Sequence, residues 1–150
     1  MTNEKFKEII EFAINEEREA QKFYKKMQDL TKHDWSKKIF KELEDMEFGH
    51  EKLLLKYQNE GFEEFDAPKI TDLKISNYLA DVELHDNMSF QEILTVSMKK
   101  EEAANKLYSD LSGKANNDAT KNLFLKLASE EAKHKLQLET VYDKEILKQN

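Results

Sequence analysis

The sequence predicts an all-α protein, a single domain folded as an antiparallel four-helix bundle in which two helical hairpins are joined by a long crossover. Three observations support this prediction. Only three glycines and one proline occur among the 150 residues, so few positions interrupt a helix. Four segments repeat apolar residues in alternating steps of three and four, the spacing of a helix packed in a bundle. The second half of the chain also repeats the pattern of the first half.

The predicted helices span about 3–30, 34–60, 89–112 and 118–147. Ser89 and Glu92 form a capping-box pattern at the start of the third helix. The connection within each half is short, which makes the paired helices antiparallel. The crossover, 61–88, can run back along a helix, and one such crossover between two hairpins is the ferritin-like connection. Its apolar residues are expected to pack on the bundle or on a second subunit: Ile70, Leu73, Ile75, Tyr78, Leu79, Val82 and Leu84.

The apolar stripes of the two halves are related by a displacement of 84 positions. The aligned pairs are Glu17 and Glu101, Ala20 and Ala104, Tyr24 and Tyr108, Phe40 and Phe124, Leu43 and Leu127, Glu47 and Glu131, and His50 and His134. An internal repeat of this kind predicts two similar helical hairpins related by a pseudo-twofold axis through the core.

Six polar side chains occupy stripe positions that should face the core: Glu17, Glu47, His50, Glu101, Glu131 and His134. A carboxylate in a bundle core must be neutralised, hydrogen-bonded or bound to metal, because burying it bare is very costly. Each of the six lies near the middle of its helix, so all should share one level. Two divalent cations would balance four carboxylates, and neutral imidazoles would complete the coordination.

The spacing Glu-x-x-His occurs twice and places both side chains on one helix face. A single such motif is usually surface chemistry, but two motifs 84 positions apart with two further glutamates are far more specific. Two glutamates plus two Glu-x-x-His motifs is the ligand set of ferritin-like di-iron and di-manganese proteins. Oxygen and imidazole ligands without sulfur suit iron or manganese, with zinc as a substitute.

Other polar and aromatic residues carry weaker signals. Tyr24 and Tyr108 could donate hydrogen bonds to the ligand carboxylates, although ordinary core tyrosines fit the pattern equally well. Surface charges are expected, with one of them as a conceivable extra ligand, at Glu16, Glu19, Glu51, Glu102 and Glu130. Solvated positions are expected at His33, His85, Lys99 and Lys100. Packing or interface roles are expected for Phe12, Phe23, Trp35 and Phe48.

Charge and composition exclude several function classes. The formal net charge of −7 argues against nucleic acid or an anionic membrane surface as a partner. No apolar run is long enough to cross a bilayer, and the N-terminal residues lack the pattern of a secretory signal. Without cysteine there is no disulfide, thiolate nucleophile or iron–sulfur site. A cytoplasmic location is the default expectation.

The ligand motifs resemble those of the rubrerythrin-like branch of the ferritin-like superfamily. Helix one reads E-R-E-A-Q-K-F-Y from Glu17, and helix three reads E-E-A-A-N-K-L-Y from Glu101. The second and fourth helices contribute E-F-G-H from Glu47 and E-A-K-H from Glu131. The stretch 73–108 is also similar to short rubrerythrin-related proteins, so the resemblance covers nearly the whole chain.

The resemblance implies a carboxylate-bridged pair of irons that reduces hydrogen peroxide by two electrons, one from each ion. It implies that the bridging ligands would be Glu47 and Glu131, the terminal carboxylates Glu17 and Glu101, and the terminal imidazoles His50 and His134. Both metals would lie about 3.5–4 Å apart with open positions facing a small pocket. Rubrerythrins are commonly dimers, so a homodimer is implied.

The chain departs from the rubrerythrin pattern in two respects. Rubrerythrins proper carry a cysteine-containing rubredoxin-like domain, so an external reductase or rubredoxin would have to supply electrons here. They also have a further glutamate one turn after the helix-three ligand, which lets one iron move, and this position is Ala104. The ligand set is therefore closer to that of bacterioferritin.

Two other functions remain open at this stage. The first is a ferroxidase or iron-storage protein, although ferritins usually add a short fifth helix, which the sequence does not predict here, and Phe48 stands where bacterioferritin has its haem methionine. The second is a non-enzymatic, metal-stabilised interaction or iron-sensing module. The sequence also leaves open dioxygen as the oxidant, iron, manganese or a mixed pair as the native metal, and helix exchange between subunits.

Overall fold

The computed structural model describes residues 2–60, 62–66, 69, 73–79, 85 and 87–147. These residues form four long helices: α1 (Thr2–Leu30), α2 (Asp34–Glu60), α3 (Phe90–Gly113) and α4 (Asp118–Glu145). The observed ends differ from the predicted ones by two residues at most. Two short 3₁₀ turns, Phe62–Glu64 and Ile75–Tyr78, lie in the crossover. The predicted all-α bundle is confirmed.

Side-chain caps fix the start of both helices in the second hairpin. The Ser89 hydroxyl accepts from the Glu92 backbone N–H at 3.1 Å, and the Glu92 carboxylate accepts from the Ser89 N–H at 3.2 Å. This reciprocal pair is the predicted capping box. At the start of α4 the Asn117 side chain accepts from the Thr120 N–H at 2.9 Å. These bonds satisfy backbone donors that a helix start otherwise leaves free.

Neighbouring helices in the bundle run antiparallel. The helices of each hairpin pack along their length, and across the hairpins α1 contacts α3 while α2 contacts α4. Tyr24, late in α1, bonds to Glu101 in α3, whereas Glu17, earlier in α1, bonds to the later Tyr108. This crossed pairing requires α1 and α3 to point in opposite directions. The two hairpins are therefore related as the internal repeat predicts.

The apolar core consists of two layers separated by a polar level. One layer contains residues from the start of α1, the end of α3 and the start of α4, including Phe6, Leu111 and Phe124. The other contains residues from the end of α1 and the start of α3, including Met27 and Leu94. Glutamate and histidine side chains lie between these layers. Apolar packing consequently closes the polar level from both ends of the bundle.

The described part of the crossover packs on the bundle. Leu73 and Tyr78 are buried in the core, and the Tyr78 hydroxyl donates to Asp110 in α3 at 2.8 Å. Ile75 packs partly against the same core, whereas Leu79 is 59% exposed. The other crossover residues expected to pack, Ile70, Val82 and Leu84, lie outside the described residues.

The start of the crossover is also tied to the α3–α4 turn. The Asn116 side chain donates to the Phe65 carbonyl at 2.7 Å, and the Asp66 N–H donates to the Lys114 carbonyl at 2.7 Å. These bonds hold the buried Phe65 ring over the end of the bundle. Among the described residues, none of the helices combines the length and apolarity that a bilayer span requires.

Replacing Phe124 should test the core directly. Its ring is fully buried, with its centroid 5.3 Å from that of Tyr57 and 5.4 Å from that of Phe65. Phe124→Ala should lower the free energy of unfolding by about 3–5 kcal/mol, because it leaves a cavity. The adjacent Leu125→Ala, at a position 44% exposed, should change it by less than about 0.5 kcal/mol. Urea unfolding followed by circular dichroism measures both, and equal losses would contradict the core assignment.

Candidate metal centre

Every helix contributes to the polar level between the two apolar layers. Glu17 comes from α1 and Glu101 from α3, while α2 and α4 each contribute one Glu-x-x-His motif. All six side chains predicted as ligands meet there and are at most 4% exposed: Glu17, Glu47, His50, Glu101, Glu131 and His134.

The histidines of the two motifs face each other's glutamates. Nδ1 of His50 lies 3.0 Å from Oε1 of Glu131, and Nδ1 of His134 lies 2.9 Å from Oε1 of Glu47. The two imidazole rings are stacked, with centroids 6.1 Å apart and planes 16° apart. This arrangement follows from the antiparallel packing of α2 and α4, which sets the glutamate of each motif opposite the histidine of the other.

One buried atom on each of the six side chains makes no hydrogen bond to the described residues, and the 3.0 Å and 2.9 Å approaches of the two histidine Nδ1 atoms to carboxylate oxygens lack hydrogen-bond geometry. These atoms are Oε2 of Glu17, Oε1 of Glu47, Nδ1 of His50, Oε2 of Glu101, Oε1 of Glu131 and Nδ1 of His134. A buried polar atom left without a partner typically costs about 1–3 kcal/mol. Six such atoms that converge on one place are the arrangement expected of metal ligands.

The candidate ligand atoms divide into two overlapping sets. One set is Glu17, Glu47, His50 and Glu131, and the other is Glu47, Glu101, Glu131 and His134. Within each set the candidate atoms all lie within 4.8 Å of one another. Because Glu47 and Glu131 belong to both sets, they can bridge two ions, while each remaining glutamate and histidine serves one ion. Carboxylate and imidazole donors in this number fit a di-iron site.

Electrostatics in the cluster oppose full ionisation without cations. Burial raises the pKa of Glu47 and of Glu131 well above the ordinary value, and repulsion from Glu101 adds to it. Burial alone would lower the pKa of His50, but its contacts with Glu17 and other carboxylates raise it to about 10. Burial alone would also lower the pKa of His134, but its contacts with Glu101 and Glu47 raise it to about 9. Two divalent cations would remove the carboxylate repulsion.

Two tyrosines hold the terminal carboxylates. The Tyr24 hydroxyl donates to Oε1 of Glu101, and the Tyr108 hydroxyl donates to Oε1 of Glu17. Burial and the nearby carboxylates raise the pKa of both phenols well above 10, so both remain protonated donors. Each tyrosine satisfies one carboxylate oxygen and leaves the other directed at the cluster. Their contacts favour the role of outer hydrogen-bond donors over that of ordinary core tyrosines.

Glu130 is not the surface charge that the sequence predicts. Its side chain is only 16% exposed, and Oε2 lies 2.7 Å from Nε2 of His50. The prediction is wrong because it considered only the direction of the residue on its own helix, whereas the side chain reaches across to α2. A carboxylate on the outer nitrogen of a ligating histidine orients the ring.

A cavity of about 30 Å³ lies beside the cluster, between α1 and α3. Its walls include all four candidate carboxylates, Tyr108, Ala20 and Ala104. Lys100, also in the wall, is ion-paired with Glu16 at 3.0 Å and Glu19 at 3.2 Å, and its side chain is 19% exposed. The prediction of a solvated Lys100 is therefore wrong, because acidic side chains of α1 enclose it.

The remaining charged positions belong to neither of the two candidate sets. Glu51 pairs with Arg18 at 2.7 Å, and its side chain is only 13% exposed, so the prediction of a surface charge is wrong for Glu51 as well. Glu102 pairs with Lys135 in the second hairpin at 2.9 Å, and its side chain is 69% exposed, as predicted. Neither His33 nor His85 belongs to the ligand sets, and His33 lies 3.6 Å from the carboxylate of Glu145.

Sequence reasoning missed one buried carboxylate at the end of α4. Glu145 is 4% exposed and accepts hydrogen bonds from the Thr31 hydroxyl at 2.7 Å and the Ser36 hydroxyl at 3.2 Å. It therefore ties the end of α4 to the α1–α2 turn. Its spacing of seven from Leu138 and four from Val141 continues the core stripe and is the signal that could have revealed it.

Comparison with known proteins agrees with the ligand geometry. The family model described as Rubrerythrin matches residues 2–83 and 92–150. The chain belongs to the rubrerythrin family. No curated protein and no solved structure gave a match. As a rubrerythrin-family protein with this buried glutamate and histidine cluster, the chain has the residues that a di-iron centre requires.

Removing a shared ligand should differ from removing a terminal one. Glu131→Ala should weaken the binding of both ions, because both candidate sets lose a carboxylate oxygen. The affinity for each ion should fall by more than the factor of about 10–100 that is typical when a hydrogen-bond partner of a ligand is removed. Glu17→Ala should chiefly weaken one ion. Anaerobic equilibrium dialysis against Fe(II) with metal analysis measures the stoichiometry. Glu102→Ala, adjacent to a ligand but 69% exposed in its side chain, is the control. Two ions retained at unchanged affinity in Glu131→Ala would refute its assignment as a shared ligand.

Proposed function

We propose that this protein is a di-iron peroxidase that reduces hydrogen peroxide to water with electrons from an external donor. The observation that carries the proposal is the small cavity whose wall includes both shared carboxylates. It provides a place for an oxidant next to the ligand sets. Membership of the rubrerythrin family supports the same chemistry.

The size of the cavity favours a very small oxidant. A water molecule needs about 10–15 Å³ by this measure, so about 30 Å³ admits a molecule with two heavy atoms. Hydrogen peroxide and dioxygen each have two heavy atoms and match this volume. The apolar layers above and below the cluster exclude bulk water and limit side reactions.

The side chains have distinct roles in this proposal. Glu47 and Glu131 would hold both ions, and the terminal ligands would hold one ion each. When bound, a reduced iron pair supplies one electron per ion, and cleavage of the peroxide O–O bond consumes these two electrons with two protons. Tyr108 lines the cavity and holds a proton on Oη in its hydrogen bond to Glu17. Tyr24 holds the other terminal carboxylate in the same way.

The electrons would come from a separate protein such as a rubredoxin or a reductase, since none of the 150 residues is a cysteine that could hold a rubredoxin-type iron. We propose a homodimer as the working assembly. At the position where rubrerythrins carry an additional glutamate, Ala104 lines the cavity, and its repeat counterpart Ala20 does too. The ions would therefore keep one ligand set each in both oxidation states.

A ferroxidase is the second candidate, and the bacterioferritin-like ligand set without a glutamate at 104 favours it. A stopped-flow experiment can distinguish the peroxidase from the ferroxidase. The protein is loaded anaerobically with two Fe(II) per chain and then mixed with hydrogen peroxide. The peroxidase should oxidise both irons rapidly with one peroxide per pair, and more slowly with dioxygen. Faster oxidation by dioxygen, together with a 24-subunit particle in size-exclusion chromatography, would overturn the proposal in favour of iron storage.

A larger side chain in the cavity should slow the reaction with peroxide and leave metal binding unchanged. Ala104→Leu would occupy the space beside the shared carboxylates, so the rate of oxidation by peroxide should fall by roughly tenfold to a hundredfold, as for a misplaced reactant. Binding of two Fe(II) should be retained. The same substitution at the exposed Ala132, next to Glu131, is the matched control and should leave both properties unchanged. An unchanged peroxide rate in Ala104→Leu would show that the oxidant does not use this cavity.

A further inference from the structure

The internal repeat breaks down at the residue that precedes each shared glutamate. A displacement of 84 positions relates Glu47 to Glu131 and His50 to His134, but it relates Glu130 to Met46. The two halves of the cluster therefore contain the same types of candidate ligand, but they differ in the residue that precedes the glutamate of each Glu-x-x-His motif. This difference falls on the outer side of the two histidines.

A carboxylate lies beside the ring nitrogen of His50 that is directed away from the cluster. Its Nδ1 faces the cluster and its Nε2 lies 2.7 Å from Oε2 of Glu130. If Nδ1 is the ligating atom, Nε2 must carry the proton and donate it to Glu130. The Glu130 side chain is only 16% exposed, so water screens this bond weakly. Such a bond fixes the ring orientation and raises the basicity of the ligating nitrogen.

In the part of the chain that the structure describes, no carboxylate occupies the equivalent place beside His134. Among the described residues, the carboxylates within ion-pair distance of its ring are the cluster ligands Glu47, Glu101 and Glu131, and each is nearest to Nδ1. Met46 stands where the repeat would require a carboxylate, and it is 39% exposed. Met46 and His134 line one surface groove, so a longer acidic side chain at 46 could reach the outer nitrogen.

We propose that Glu130 is a positioning residue that makes the two metal positions unequal. The position formed by Glu17, His50 and the shared glutamates binds a divalent cation more tightly and fills first, and the position at Glu101 and His134 fills second. The inference rests on the metal centre of the proposed function and does not depend on the oxidant. An outer carboxylate of this kind typically changes metal affinity by about 10–100-fold.

Titration with Co(II), which reports each ligand set through its visible absorption, tests the proposal. The wild-type protein should bind two ions in two resolved steps. Glu130→Gln should weaken the first step by about 10–100-fold and bring the two steps together. Met46→Glu should instead strengthen the second step, because it supplies the missing carboxylate to His134. The double variant should reverse the order of filling.

The order of filling is assigned with single-histidine variants. His134→Ala should keep the tighter wild-type step, and His50→Ala should lose it. Glu102→Gln, which makes the same charge change at an exposed site, should leave the ratio of the two affinities unchanged. Circular dichroism of the metal-free variants establishes that each one folds.

Two results would overturn the inference: an unchanged affinity ratio in Glu130→Gln, or equal weakening of both steps. The outcome is separable from that of the proposed function. Unequal filling without peroxide turnover would refute only the peroxidase, whereas fast peroxide turnover with two equivalent positions would refute only the role of Glu130.

Discussion

Four carboxylates lie close together at one level of the bundle, and the helices around them exclude the water that would otherwise solvate their charge. Such a cluster is unfavourable unless cations or protons compensate it. Much of the surrounding structure serves this requirement. Tyrosine hydroxyls satisfy the outer oxygens of Glu17 and Glu101, and apolar layers close the level on both sides. The fold thus holds together a set of side chains that is unfavourable without compensating charge.

The helices hold the six clustered side chains in fixed positions. Each of the six lies well inside a long helix, and backbone hydrogen bonds along the helix fix the direction of its Cα–Cβ bond. Crossed pairing of Glu17 with Tyr108 and of Tyr24 with Glu101 also locks the register of α1 against α3. A shift of one helical turn would separate both pairs at once. Register and ligand geometry are therefore set by the same contacts.

The sequence was sufficient to predict the helices, the bundle and the six side chains that meet, because all of these follow from periodicity within a helix and from the repeat. It was not sufficient for features that depend on the distance between helices. Glu130 and Lys100 were expected to face solvent, and each instead reaches a residue of a neighbouring helix. The resemblance implied a small pocket, but its size and lining could not be predicted, since they depend on how closely α1 and α3 approach at two alanines.

One ion pair in each hairpin occupies equivalent positions of the internal repeat, and these two pairs have opposite polarity. In the first hairpin the base, Arg18, is on α1 and the acid, Glu51, is on α2, whereas in the second the acid, Glu102, is on α3 and the base, Lys135, is on α4. Such pairs add little to stability. Their consequence lies in partner choice during folding. If α1 paired with α4 in place of α2, two bases would meet, and α3 with α2 would bring two acids together. A duplicated chain whose halves could otherwise substitute for each other thereby disfavours the exchanged pairing.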